Sequence, residues 1–145
     1  MIDVNDLMVG NFVKKHGEIL VIGKIHRDSV ADKWGEICFD DEIEPIPVTV
    51  DMLKRIGFKE YDDSPLEGKS YLYWDKEYRY KLDVHPDFCN SDRKFSIHID
   101  NEYCETIGCG EFTYVHELQN LVRVITGRDL PITKEMLKYY AKKTY

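Results

Sequence analysis

The chain has 145 residues, a net charge of -7, 43% hydrophobic residues, a pI of about 5.2 and a mean hydropathy of -0.46. That length fits one domain or two closely joined lobes, and it supports a core without disulfides. The acidic balance disfavours non-specific binding to phosphate backbones. The charge is uneven: residues 128–145 carry a net of +3 and the remainder a net of -10. The first residues are acidic and hold no long apolar run, so no signal peptide is expected. The longest aliphatic run, residues 19–22, is too short to span a bilayer. The expected location is therefore the cytoplasm, away from membranes. There Cys38, Cys89, Cys104 and Cys109 would be reduced thiols.

The first 48 residues read as short strands at 11–14, 18–25 and 36–39, with a turn at His16-Gly17 and a polar loop at 28–33. The acidic run Asp40-Asp41-Glu42 lacks the alternate acids and glycine of a calcium loop and reads as a solvated hairpin end. Residues 43–47 are extended, because proline pushes its predecessor out of the helical region. Several short strands in succession suggest a small curled sheet of SH3-like kind. Thr49 is an N-cap, Met52, Leu53 and Ile56 form an apolar stripe, and Gly57 ends a helix of about two turns.

Residues 62–69, with Ser64-Pro65 and Gly68, read as a loop between two lobes, 1–61 and 69–145. Strands follow at 71–74, 78–84, 95–99 and 103–107, with His85-Pro86-Asp87 as a break. They read as an antiparallel meander. Thr113 would cap a long helix over 114–126, with Val115, Leu118, Leu121, Val122 and Ile125 as its core stripe and Gly127 as its stop. A last basic helix starts after Thr133 and frays at Lys142-Lys143. The expected fold is α+β: a strand-rich N-terminal lobe with a small curled sheet, then an antiparallel meander packed on one long helix, with a C-terminal helix.

Three segments carry a resemblance. They are Leu7-Met8-Val9-Gly10-Asn11-Phe12-Val13; Ile46-Pro47-Val48-Thr49 with Leu53 to Phe58; and Tyr114-Val115-His116-Glu117-Leu118-Gln119-Asn120-Leu121 with Thr126-Gly127. In this order the chain resembles a family of short uncharacterised proteins from anaerobic gut bacteria and their phages or mobile elements. The resemblance implies the order of segments and a mobile-element origin. It hands over no catalytic residue.

Four constellations could carry chemistry. Cys104, Cys109 and His116, with His85 and Cys89 as possible additions, have spacings within reach of a zinc site, but no second tight pair completes it. The competing reading is two reduced, partly buried thiols, and no metal or cofactor is expected. Gly108-Cys109-Gly110 before a helix, with His116 and Asn120, sketches a cysteine nucleophile. A glycine-rich connection explains the same residues. Tyr71, Tyr73, Trp74, Tyr78 and Tyr80 could stack bases, but packing between strands explains them better. Finally, His116, Gln119, Asn120 and Arg123 share one face of the long helix, opposite the core stripe. They read either as a binding surface for a protein partner or a second copy, or as hydrogen-bond partners for loop backbone within the fold.

The leading expectation is a non-enzymatic protein-interaction or accessory protein of a phage or mobile element. One alternative is a nucleic-acid-binding module using the N-terminal sheet and the Lys134, Lys138, Lys142, Lys143 tail. A second is a small cysteine- or carboxylate-dependent hydrolase.

Overall fold

A computed structural model describes residues 2–64, 68–86 and 94–141. The chain is α+β, with one four-stranded and one five-stranded antiparallel sheet among the described residues. It divides into two compact units. The first comprises Met1–Val48, Tyr114–Asn120 and Leu130–Tyr145; the second comprises Thr49–Thr113 and Leu121–Asp129. No described helix is long and apolar enough to cross a membrane.

In the first unit a short turn, Val4–Asp6, precedes β1 (Phe12–Lys15), β2 (Glu18–Ile25), β3 (Ser29–Asp32) and β4 (Ile37–Phe39). The sheet curls because β2 serves two partners. Its first half pairs with β1 and its second half with β3, with a register shift between Ile22 and Lys24. Gly23 sits at that shift. A Cβ there would lie 2.7 Å from the Asp32 carbonyl oxygen, so only glycine admits the close crossing. Ile2, Val4, Leu7, Val13, Ile22, Val30, Cys38 and Ile43 form the core inside the curl.

Strand β3 corrects the loop expected at 28–33. Val30 and Ala31 are buried, but polar flanks leave only two apolar residues to signal a strand. α3 (Lys134–Ala141) starts after Thr133, whose hydroxyl accepts from the Met136 N–H at 3.4 Å. It buries Leu137 and Tyr140 and packs on β2. The fraying expected at Lys142-Lys143 lies outside the described residues.

The second unit opens with α1 (Val50–Ile56), capped by the Thr49 hydroxyl on the Met52 N–H at 3.1 Å and closed by Gly57 at φ 125°. The meander follows: β5 (Lys59–Ser64), β6 (Gly68–Trp74), β7 (Tyr80–Pro86), β8 (Phe95–Asn101) and β9 (Thr106–Phe112), paired in chain order. Three expectations change here. Of the loop expected at 62–69, residues 62–64 and 68–69 belong to the paired ends of β5 and β6, and residues 65–67 lie outside the described residues. β7 runs through His85 to Pro86, a strand-end position where a missing N–H costs no ladder bond. β9 begins later than expected, because Asn101 holds residues 103–105 in a turn, its Oδ1 accepting from the Tyr103 and Glu105 N–H groups at 2.9 and 3.0 Å.

One face of the meander buries Tyr71, Tyr73, Tyr80, Leu82, Val84, Ile97 and Ile99. The end of α2 (Val115–Thr126) that belongs to this unit lies close to β9. A Cβ on Gly108 would come within 2.6 Å of Ile125, and one on Gly110 within 2.9 Å of Leu121. The glycines flanking Cys109 are therefore there for close approach, not for a flexible connection. The first residue of α2 is Val115, so the N-cap position falls on Tyr114 and not on the expected Thr113. Glu117 reaches back to the Tyr114 N–H at 3.0 Å, half of a capping box.

Candidate functional site

The helix face singled out from the sequence is built into the fold. In the first unit Gln119 Oε1 accepts from the Phe12 N–H at 2.9 Å, and its Nε2 donates to the Gly10 carbonyl at 3.2 Å. Asn120 Oδ1 accepts from Asn11 Nδ2 at 2.8 Å, and its Nδ2 donates to the Asp6 carbonyl at 2.9 Å. Asn11, only 2% exposed, in turn accepts from the Met8 N–H at 2.7 Å. Both amides are thus occupied by the segment entering β1, the second of the two readings that the sequence left open, and not turned outward to a partner. The physical reason is that segment's need for backbone partners where no strand supplies them.

His116 is buried and its ring stacks on Tyr114, 5.9 Å between centroids. Burial pushes its pKa below the ordinary histidine value, against the smaller opposing fields of Glu117 and Asp6. Its Nδ1 has no hydrogen-bond partner. In the second unit Arg123 donates to Asp129 Oδ1 at 2.7 Å, which raises its pKa further.

The thiol candidates differ in their surroundings. Cys104 is an exposed turn residue at φ 62°, Cys109 is exposed on β9, His116 is buried, and Cys89 lies outside the described residues. Among the described residues no three His, Cys, Asp or Glu side chains are gathered, as placed, to hold a metal ion. Of the aromatic residues, Tyr71, Tyr73 and Tyr80 are buried, leaving Trp74 and Tyr78 exposed. Cys38 is a core thiol whose pKa burial raises.

A concave surface that the sequence reading missed lies on the first unit. It is a groove of about 570 Å³ between the tips of the β1–β2 and β3–β4 hairpins. Phe12, Ile19 and Leu20 give it an apolar floor, and Lys15, Trp34 and Lys134 stand around it. Trp34 is 86% exposed, with the Lys33 ammonium 5.7 Å from its ring centroid. The turn that presents it is firmly tied. Asp32 Oδ1 accepts from the Trp34 and Glu36 N–H groups at 2.9 and 2.8 Å, and Gly35 takes φ 89°.

Lys15 is tied to Glu36 and Glu42 at 3.4 and 3.3 Å. Burial, the largest single influence, works against its charge, but the bonds and fields of Glu42 and Cys38 together outweigh it and hold the ammonium pKa above its ordinary value. Glu42 accepts from the Phe39 N–H and from Lys15, so its carboxyl sits below the usual range. Glu42, the last residue of the acidic run, thus fixes Lys15 at the groove. Asp32-Lys33-Trp34-Gly35 was the only sequence signal, a turn bearing a large aromatic residue where polar side chains usually stand.

The class these features define is an α+β protein with a curled four-stranded sheet bearing a groove, and a five-stranded meander. Comparison with protein-family models, with curated proteins and with solved structures found no match in any of the three.

Proposed function

We propose that this chain is a non-enzymatic interaction protein that receives an extended segment of a partner protein in the groove of its curled sheet. The observation that carries this reading is Trp34, 86% exposed on a turn pinned by Asp32 beside an apolar floor. A large exposed indole on a tied turn buries area on binding without the turn having to be ordered first. Aromatic-lined grooves between hairpin tips suit extended peptides, whose side chains alternate between floor and solvent. The resemblance of the three anchor segments to phage and mobile-element proteins supports an accessory role in such an element.

The test is selection of a random peptide library on the purified chain. Enriched peptides should lose binding by roughly tenfold or more with Trp34→Ala, while that variant keeps its stability to within about 0.5 kcal/mol. Peptides that bind the variant equally well, or no enrichment at all, would remove the reading.

A second reading is favoured by one observation: Lys134 of α3 stands at the same groove as Trp34 and Lys33. An indole flanked by lysines can stack a base and meet its phosphate. Binding of a labelled single-stranded oligonucleotide that weakens steeply with salt and needs Trp34 would support it. Salt-independent or undetectable binding at low ionic strength removes it.

A further inference from the structure

Strand β4 shows two large apolar side chains to water. Ile37 and Phe39 are each 55% exposed, while Cys38 between them is sealed in the core. β4 also ends the order β1-β2-β3-β4, so one of its edges has no neighbouring strand among the described residues.

The ladder with β3 fixes which backbone groups face that edge. The Asp32 N–H donates to the Glu36 carbonyl at 2.9 Å, and Ala31 lies opposite Ile37, Val30 opposite Cys38 and Ser29 opposite Phe39. Bonded and non-bonded pairs alternate along an antiparallel ladder. Ile37 therefore stands at a non-bonded position, with its N–H and its carbonyl turned away from β3. Phe39 stands at the next such position, and its N–H is taken by Glu42 Oε1 at 3.0 Å. No described residue bonds to the Ile37 N–H or carbonyl. Together they form one donor–acceptor pair of the spacing that a further strand uses.

Charge selects what can cover this edge. Glu36 precedes β4, and the 3₁₀ turn Asp40–Glu42 follows it. Lys15 is tied to Glu36 and Glu42, and Asp40 and Asp41 make no ion pair among the described residues. Four acids thus flank the strand against one ammonium. Pairing β4 with β4 of a second copy would bring these acids together, and like charges across a ladder repel. A phosphate backbone meets the same repulsion. A strand alternating aliphatic and basic residues meets neither. Its aliphatic side chains fall beside Ile37 and Phe39. Its basic ones fall on the other face, where Glu36 and Cys38 share the Lys15 ammonium.

We propose that the open edge of β4 binds an extended segment of a partner protein in which aliphatic and basic residues alternate, added as a further strand of the curled sheet. Main-chain bonds to such an edge supply affinity, and the alternate side chains supply selectivity. The site shares Glu36 with the groove but needs neither Trp34 nor the apolar floor, so it stands apart from the groove reading.

The probe is a short capped peptide of alternating lysine and valine, titrated at low ionic strength into the full chain labelled with ¹⁵N. The expected result is saturable binding of one peptide per chain, with the largest amide shift at Ile37. N-methylation of the valines, whose N–H groups face Ile37, weakens binding by roughly tenfold or more. The exposed-site variants Ile37→Lys and Asp41→Lys each weaken it to a similar extent, roughly tenfold, while their urea midpoints stay at the wild-type value. Trp34→Ala leaves the affinity unchanged. The assignment is overturned by absence of saturable binding, by shifts centred away from β4, or by equal binding of a glutamate–valine peptide. Loss of binding with Trp34→Ala places the peptide in the groove and overturns it too. So does a dimer in sedimentation that Ile37→Lys dissociates, which gives the edge to a second copy.

Discussion

Asn120 Oδ1 accepts a 2.8 Å hydrogen bond from Nδ2 of Asn11, 109 residues earlier in the chain. With Gln119 it makes the helix a substitute for a neighbouring strand. The side-chain amides present one acceptor and one donor each to groups of a segment that Ile22 pairs only through the Gly10 N–H and the Asn11 carbonyl. Losing either amide leaves polar groups of that segment without partners.

Gln119→Ala and Asn120→Ala should therefore each destabilise the fold by about 1–3 kcal/mol, the cost of leaving buried donors and acceptors unmet. Gln119→Ala abandons the Phe12 N–H and the Gly10 carbonyl. Urea unfolding of the two variants measures this, and losses under about 0.5 kcal/mol would return these residues to the partner-surface reading.

His116 should make stability depend on pH. Its folded pKa lies below the ordinary 6.5, with burial as the leading cause. The unfolded chain thus binds a proton that the folded chain refuses. Stability is full above about pH 6.5 and falls as pH drops toward the folded pKa. His116→Phe keeps a ring to stack on Tyr114 and should flatten this dependence. Urea midpoints at about pH 7.5 and about pH 5.5 compare the two proteins.

Gly108→Ala should cost more than Gly110→Ala. The added methyl meets three Ile125 atoms at 2.6–3.0 Å in the first case, and chiefly Leu121 Cδ2 at 2.9 Å in the second. Overpacking of this kind costs about 1–3 kcal/mol. Ile125→Ala in the Gly108→Ala background should recover part of the loss, and a double-mutant cycle isolates that coupling. Cys109→Ala, between them but exposed, should be neutral to within about 0.5 kcal/mol.

Asp32→Ala and Asn101→Ala remove the same device from two different hairpins. In both, one side-chain oxygen accepts from the N–H groups two and four residues on. Each substitution should cost about 1 kcal/mol in thermal or urea unfolding. Asp32→Ala should also loosen the presentation of Trp34, read as a drop in its fluorescence anisotropy. The chain has only two tryptophans, so the measurement is made with Trp74→Phe as background.

The elements with a clean period were legible in advance. β2 was placed at its observed bounds, α1 with its Thr49 cap and Gly57 stop, and the buried positions Val115, Leu118 and Val122 of α2. The strands β3 and β5 were not. β3 shows only Val30-Ala31 between polar flanks, and β5 reads Lys-Glu-Tyr-Asp-Asp-Ser, whose charges mask its pairing with β6. Trp34 and Lys134 could not be joined to one groove from residues a hundred positions apart.

By itself the sequence determined the α+β class, the run of strands then helix, and the caps, because these depend on side chains within a few residues of one another. Only the tertiary structure decided that Gln119 and Asn120 serve the β1 entrance, that the glycines around Cys109 admit a helix, and which side chains line the groove. Those outcomes depend on which distant backbone groups lack partners and which strands fall in register. Both are fixed by packing across the whole unit rather than by local pattern.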